Sequence, residues 1–168
     1  MEALVSIIMG STSDLDVMAK AAQLLEEFEI PFEMNALSAH RTPEEVEKFA
    51  KGAKDRGVKV IIAGAGMAAH LPGVIASMTT IPVIGVPINA SLDGVDALLS
   101  IVQMPPGIPV ATVGINGSLN AAILAVQMIA TGDESFQRKM EEYKVSLKNK
   151  IKKANEELAQ VSYKYKTN

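Results

Sequence analysis

Short apolar runs alternate with longer helical segments from residue 4 to residue 131 of this chain. The runs are rich in Val, Ile and Ala and show little polar alternation, which is typical of parallel strands buried on both faces. The pattern predicts an α/β fold with a three-layer, doubly wound, flavodoxin-like parallel sheet of five strands in the order 2-1-3-4-5. The strand candidates are Leu4–Met9, Phe32–Leu37, Val58–Ala63, Pro82–Val86 and Val110–Gly114.

The segments between these runs have helical length or spacing. In the first of them one face carries Leu15, Met18, Ala22, Leu25 and Phe28, as expected for a helix packed on a sheet. Gly57 is predicted to end the second helix as a C′ glycine. The last segment is almost wholly apolar and should be buried on most sides. The predicted helices are Asp14–Phe28, Pro43–Arg56, Ala69–Ser77, Gly94–Val102 and Asn120–Thr131.

The segment 133–163 differs because it is rich in Lys and Glu. A narrow apolar stripe from Phe136 to Leu158 predicts one long amphipathic helix. Such a helix is longer than one five-stranded sheet needs, so it either lies across its own domain or packs partly on another subunit. The chain is interpreted as a single domain over residues 1–168, with its core at 4–131.

Composition narrows the classes of function. The net charge is −3 with no basic stripe, which argues against nucleic acid as a partner. The absence of cysteine excludes a disulfide framework and a thiolate metal site. No apolar run approaches the roughly 20 residues that span a bilayer, so no membrane association is expected. No secretory signal is recognised at the start, and a cytoplasmic location is therefore predicted.

A histidine and an arginine stand together in the segment 38–43, Ser-Ala-His-Arg-Thr-Pro, between a strand and a helix. Ligands of open α/β sheets bind outside the carboxyl ends of the strands. There His40 can transfer a proton near neutral pH, and Arg41 can hold a phosphate or carboxylate. A simpler interpretation is a capping turn, with Thr42 as N-cap and Glu45 completing a capping box. That alternative does not account for His40 and Arg41.

Three further turns should open onto the same edge of the sheet. Gly-Ser-Thr-Ser-Asp at 10–14 can cradle an anion, and Asp14 can accept hydrogen bonds from ribose hydroxyls, although a plain N-cap by Ser13 or Asp14 is also common. In the segment 64–73 small residues permit close approach of a ligand, and His70 lies among apolar neighbours, where a structural role is expected. Asp93, in the fourth turn, is expected to be a helix cap.

No spacing in the chain matches a metal site, a G-x-S-x-G elbow or a Walker motif. The residues that remain are a histidine, an arginine, hydroxyls and glycines around one predicted pocket. This set suits metal-free proton transfer on a phosphorylated ribose compound.

Four motifs in this order resemble the class I 5-(carboxyamino)imidazole ribonucleotide mutases, the PurE family. They are Gly-Ser-x-Ser-Asp at 10–14, Ser-Ala-His-Arg-Thr-Pro at 38–43, Gly-Ala-Gly-x-Ala-Ala-His-Leu-Pro-Gly at 64–73, and Ser-Ile-Val-Gln-Met-Pro at 100–105. The similarity runs from Leu4 to about Thr131, whereas the tail after Asp133 matches only in being helical.

The resemblance implies an isomerase of de novo purine (IMP) biosynthesis that uses no ATP, metal or biotin, and so no cofactor. The carboxylate on the exocyclic nitrogen leaves as carbon dioxide and is re-added at the neighbouring ring carbon, giving 4-carboxy-5-aminoimidazole ribonucleotide. The resemblance makes His40 the general acid/base and implies a homo-octamer. Its implied substrate-binding residues are Ser11, Ser13, Asp14, Ser38, Ala39, Arg41, Gly64, Ala68, His70 and Leu71.

One position departs from the family, which usually has glycine where this chain has Met67. If the backbone there needs a positive φ, Met67 is strained, and if it does not, the side chain narrows the pocket. The departure bears on the rate and on the loop geometry more than on the reaction class.

Other functions remain open from the residues. Class II carboxylases, which take aminoimidazole ribonucleotide and free carbon dioxide, share the fold and the Ser-Ala-His-Arg turn, although the motifs at 64–73 and 100–105 favour class I. A flavodoxin-like electron carrier would hold the phosphate of FMN at residues 11–13. The chain has no Trp, and its three Tyr lie near the C-terminus, which leaves no aromatic pair for the flavin ring. A non-catalytic, oligomeric nucleotide sensor is a third possibility.

Overall fold

The computed structural model describes residues 2–168 and contains a five-stranded parallel sheet in the order β2-β1-β3-β4-β5. The predicted fold class and strand order are confirmed. The strands are β1 Val5–Met9, β2 Phe32–Ala36, β3 Val60–Gly66, β4 Val83–Ile88 and β5 Ala111–Thr112.

Helices cover both faces of the sheet. They are α1 Leu15–Glu27, α2 Pro43–Gly52, α3 Leu71–Ala76, α4 Val95–Val102, α5 Ser118–Ala130 and α6 Glu134–Gln160, with 3₁₀ turns at Thr12–Asp14 and Leu92–Gly94. Consecutive strand residues point to opposite faces, so Ile7 packs with α1 and α5 while Ile8 packs with α2, α3 and α4. This explains why β1, β3 and β4 are apolar without alternation, because both of their faces are core, whereas the edge strands β2 and β5 are only partly buried.

Several predicted boundaries are wrong at the ends of elements. The second helix ends at Gly52 rather than Arg56, and Gly57, at φ 87°, closes the turns that follow it instead of capping the helix directly. β3 begins and ends later than predicted, at Val60 and Gly66, and β5 has only two residues. Leu15 was placed on the packed face of the first helix, but it is exposed at the start of α1.

The capping predictions at the turns also need correction. Thr42 occupies the N-cap position of α2 without a side-chain cap bond, so the capping box with Glu45 does not form. Its hydroxyl instead accepts the Ser38 N–H at 2.9 Å. Asp93 is left-handed, with φ 54°, inside a 3₁₀ turn, and the N-cap of α4 is Gly94.

The long C-terminal helix divides into two halves. In the first half Met140 is buried, and the rings of Phe28 and Tyr143 meet edge to face with centroids 5.7 Å apart. Lys139 Nζ adds a bond of 2.9 Å to the Phe28 carbonyl. After Tyr143 the apolar side chains are exposed, among them Val145, Leu147, Ile151 and Leu158. The helix therefore does not lie across its own domain over its full length, and it ends at Gln160, before Tyr163.

α5 is buried on the side that faces the sheet and α1. Its alanines Ala121, Ala122 and Ala125 are fully buried, whereas Leu119 at its start is exposed. The small side chains let α5 approach closely, which suits a helix wedged between α1 and α6.

Candidate active site

A cavity of about 590 Å³ opens at the carboxyl edge of the sheet. The turns after β1, β2 and β3 form its walls, as sequence reasoning predicted for ligands of such sheets. The lining residues are Gly10, Ser11, Ser13, Asp14, Ser38, Ala39, His40, Arg41, Ala65, Gly66, Met67, Ala68, His70, Leu71 and Ala90.

Of the predicted site residues, Gly64 alone does not line this cavity. β3 extends to Gly66, so Gly64 lies within the strand, where it pairs with Met9 of β1. A Cβ at this position would lie 2.6 Å from Met18 Sδ on α1. The glycine therefore permits close packing of α1 on the sheet.

The turn after β1 presents hydroxyls and one carboxylate. Ser11 is extended, and its Oγ accepts the Ser13 N–H at 3.3 Å, while the Ser13 hydroxyl lies 3.4 Å from Asp14 Oδ1. Burial raises the pKa of the Asp14 carboxyl above its ordinary value of 3.8, against the opposing effect of hydrogen bonds from Ser13 and from the backbone of Ser11 and Gly10. Ligand hydroxyls that donate hydrogen bonds to this carboxylate would stabilise its charged form.

Arg41 joins the turns after β1 and β2. Its Nη2 donates to the Gly10 carbonyl at 3.0 Å, and its Nε and backbone N–H both donate to Ser38 Oγ, at 3.3 and 3.2 Å. No carboxylate forms an ion pair with Arg41 in the described part of the chain, residues 2–168. The guanidinium is thus oriented at the cavity wall with its charge free for an anionic ligand.

The two histidines of the chain are in direct contact. His40 Nε2 lies 2.6 Å from His70 Nδ1, and the rings meet edge to face with centroids 4.9 Å apart. His70, predicted to lie among apolar neighbours, is an exposed residue at the N-cap of α3 and lines the cavity, as expected of a site residue. Since 30 residues separate the two along the chain, no local pattern could have shown the contact.

Met67 has a left-handed backbone, with φ 54°, and its side chain is 59% exposed at the cavity. The first of the two expectations for this position is therefore correct, and the residue carries the strain that a side chain meets there. Its neighbour Gly66 has no room for a side chain, because a Cβ would lie 2.9 Å from that of Ala90.

Five of the lining residues were not among the predicted site residues: Gly10, Ala65, Gly66, Met67 and Ala90. Four of them stand inside the motifs already singled out, so the small residues next to the predicted site were the available signal. Ala90 follows β4 and carries no feature that sets it apart.

Within residues 2–168, no three His, Asp or Glu side chains are grouped so that they could hold a metal ion. In the same part of the chain, no helix is long and apolar enough to cross a membrane.

The family model of AIR carboxylase matches residues 4–150. This chain belongs to the AIR carboxylase family. The resemblance drawn from the four motifs is confirmed, and the match includes every wall of the cavity as well as the first half of α6.

Relatives and a solved structure agree with this assignment. The chain is 58% identical to the N5-carboxyaminoimidazole ribonucleotide mutase of Pyrococcus abyssi, over 86% of this chain and 83% of that protein. It is 61% identical to the phosphoribosylaminoimidazole carboxylase of Candida glabrata, over 83% of this chain but only 25% of that protein. The crystal structure of Treponema denticola PurE2-S38D superposes with a TM-score of 0.85 at 31% identity, covering 94% of this chain and 99% of that one.

Replacing Met67 with glycine tests the strain at the cavity. Glycine removes the steric cost of a left-handed backbone, about 1–2 kcal/mol. Its greater conformational entropy also stabilises the unfolded chain by about 0.5–1 kcal/mol. We expect Met67→Gly to leave the free energy of unfolding unchanged or raise it by up to about 1 kcal/mol, as measured by urea denaturation. Ala68→Gly is the control, because Ala68 has no positive φ and its replacement should be destabilising. Equal losses in both variants would contradict the interpretation.

Asp14→Asn tests the carboxyl whose pKa is raised. Because the folded pKa lies above the unfolded one, ionisation of Asp14 costs stability, and that cost is fully present at pH values above the folded pKa. We expect the variant to have a higher midpoint of thermal unfolding than the parent at pH 7, by a difference that shrinks as the pH falls towards 3.8. Nucleotide affinity should fall in the same variant. A variant less stable than its parent at pH 7 would refute the interpretation that ionisation of Asp14 costs stability.

Proposed function

We propose that this protein is an isomerase that interconverts 5-(carboxyamino)imidazole ribonucleotide and 4-carboxy-5-aminoimidazole ribonucleotide in purine biosynthesis. The observation that carries the proposal is one cavity in which His40 lies next to Arg41, whose guanidinium pairs with no carboxylate within residues 2–168. The Pyrococcus relative, an N5-carboxyaminoimidazole ribonucleotide mutase, supports the same reaction.

In the proposed reaction the bond between the exocyclic nitrogen and its carboxylate breaks, and that nitrogen receives a proton from His40. The released carbon dioxide stays in the cavity and forms a bond to the neighbouring ring carbon. His40 then removes the proton from that carbon, which restores the aromatic ring. One side chain performs both transfers because imidazole is both an acid and a base near neutral pH.

The remaining side chains bind the nucleotide. Arg41, together with the hydroxyls of Ser11, Ser13 and Ser38, is suited to the phosphate, since guanidinium and hydroxyl donors pair with its oxygens. Asp14 is suited to the ribose hydroxyls. The apolar wall formed by Ala39, Ala65, Ala68 and Leu71 offers no strong hydrogen-bonding side chain, which suits neutral carbon dioxide.

No observation of the site favours the electron-carrier alternative, because the lining includes no Phe or Tyr ring that could flank a flavin. The carboxylase alternative shares this cavity. The match covers only 25% of the Candida carboxylase, so the activity of that whole protein does not by itself favour the carboxylase for this chain.

An assay without ATP separates these functions. Purified protein is incubated with 5-(carboxyamino)imidazole ribonucleotide, or with aminoimidazole ribonucleotide plus bicarbonate, and 4-carboxy-5-aminoimidazole ribonucleotide is followed by absorbance. We expect rapid conversion of the carboxyamino substrate. Conversion of aminoimidazole ribonucleotide at a comparable kcat/KM would establish the carboxylase instead, and no turnover of either substrate would leave a nucleotide sensor.

His40 and His70 are expected to differ in their contribution to the rate. His40→Asn should fold and bind nucleotide while kcat falls by about 10²–10⁴, the usual contribution of a general acid/base. His70→Asn should retain measurable turnover. Steady-state kinetics and nucleotide binding by calorimetry make the comparison, and an active His40→Asn beside an inactive His70→Asn would reverse the assignment.

Arg41→Lys keeps the positive charge but loses the planar fork that bonds Ser38, Gly10 and a phosphate together. We expect KM for the phosphorylated substrate to rise about tenfold, the effect of losing one charge-assisted hydrogen bond. Lys48→Arg on the exposed face of α2 is a control that should leave KM unchanged. An unchanged KM in both Arg41→Lys and Arg41→Ala would remove Arg41 from the site.

The exposed apolar side chains of α6 support a homo-oligomer, which we propose to be the octamer of the resembling family. Each chain is proposed to form a single domain, and the protein to act in the cytoplasm. Leu147, Ile151 and Leu158 lie on one face of α6 and are all exposed, an apolar stripe that a second copy would cover. Light scattering at micromolar concentration should give a mass well above a dimer. Ile151→Glu should weaken the assembly, whereas Lys150→Glu should not, and a monomeric parent would refute the proposal.

A further inference from the structure

The contact between His40 and His70 has a geometry that only one proton can satisfy. With His40 Nε2 and His70 Nδ1 2.6 Å apart, two lone pairs would repel each other, and two N–H groups would collide. One nitrogen must therefore carry a proton while the other accepts it. The second nitrogen of His40, Nδ1, is then the ring atom left for other partners.

The backbones of the two histidines differ in how they are held. The N–H of His70 donates to the Ala68 carbonyl at 2.8 Å, its carbonyl accepts the Val74 N–H at 2.9 Å, and the next residue, Leu71, is buried in the core. Within residues 2–168, the backbone N–H and carbonyl of His40, in the turn between β2 and α2, make no backbone hydrogen bond. His70 is thus the more firmly held member of the pair, and its ring defines where His40 Nε2 lies.

We infer that His70 is a positioning residue for the reaction: it holds the ring of His40 through one shared proton and thereby sets which nitrogen of His40 is the acid and which is the base. This inference rests on the proposed mutase reaction for its kinetic readout. His70 itself makes no transfer to substrate.

The shared proton lets His40 alternate between its two tasks. When His40 is protonated on both nitrogens, Nε2 donates to neutral His70 and Nδ1 can release a proton. After that release Nε2 still donates to His70, so Nδ1 is held as a base that can take a proton back. The tautomer with the proton on Nδ1 of neutral His40 would need His70 to donate instead. The pair therefore returns His40 to the state required for the second transfer without rotation of the ring.

The other charged groups on the cavity wall favour a single positive charge on the pair. Arg41 follows His40 in the same turn and carries a permanent positive charge, which opposes a second one on the imidazoles. Asp14, on the β1 side of the cavity, is the carboxyl whose ionisation balances these cations. No other Asp, Glu, Lys or Arg lines the cavity within the described residues 2–168.

Two replacements of His70 separate hydrogen bonding from shape. Phenylalanine keeps a planar ring but removes the bond to His40. Asparagine places Oδ1 at the same distance along the side chain as Nδ1, so it can still accept from His40 Nε2–H, and it is a favourable residue for the N-cap that His70 occupies. Both variants are compared with the parent as the full-length protein, after circular dichroism and light scattering have confirmed the fold and the assembly.

We expect His70→Phe to lower kcat about tenfold, the effect of one lost hydrogen bond in the transition state, with KM changed less than about threefold. His70→Asn should recover most of kcat. A His70→Phe variant with the parent's kcat would overturn the inference, and so would equal losses in the two variants.

Proton NMR of the histidine rings gives a readout that needs no turnover. In the parent, the N–H proton shared by His40 and His70 should give a strongly downfield signal, which His70→Phe should lose. A parent without this signal would refute the pairing. The signal in a parent that shows no turnover would instead count against the mutase function alone.

Discussion

The site depends on the parallel register of β1 between β2 and β3. Met9, the last residue of β1, pairs with Ala36 on one side and Gly64 on the other. Because the three strands end close together, the turns that follow them meet above the end of β1. A shift of one strand by one residue would move each of its side chains to the opposite face of the sheet, and the packed apolar residues on both faces oppose that shift. The register is therefore fixed by burial, and the cavity follows from the register.

The turns are joined to one another by polar contacts at two points. Arg41 ties the second turn to the carbonyl of Gly10 in the first, and the His40–His70 bond ties the second turn to the third. These residues are exposed, so the bonds order the loops more than they stabilise the core. Removal of one such bond should loosen a wall of the cavity while the sheet remains intact, which is why kinetics and binding are the measurements that report on them.

Two residues of the cavity lower the stability of the folded protein. Asp14 is partly buried, so its charged form is disfavoured, and Met67 occupies a backbone region that suits glycine. Both residues line the space where a ligand would bind. Strained conformations and desolvated charges are commonly found at functional sites because the surrounding fold provides enough stability to hold them. Here that stability comes from the buried apolar layers on the two faces of the sheet.

The sequence by itself determined the strands, their order and the edge of the sheet at which the cavity opens. Uninterrupted runs such as Leu4–Met9 record burial on both faces, and the glycine, serine and histidine motifs follow them directly in the chain. Only the tertiary structure decided that His70 touches His40, that Gly64 packs on Met18 instead of lining the cavity, and that α6 leaves its own domain after Tyr143. The spacing of apolar residues along a helix or strand shows which of its faces are buried, but not which residues they contact. Contacts between residues distant in the chain depend on register, on where a strand ends and on side-chain direction, which no local pattern encodes.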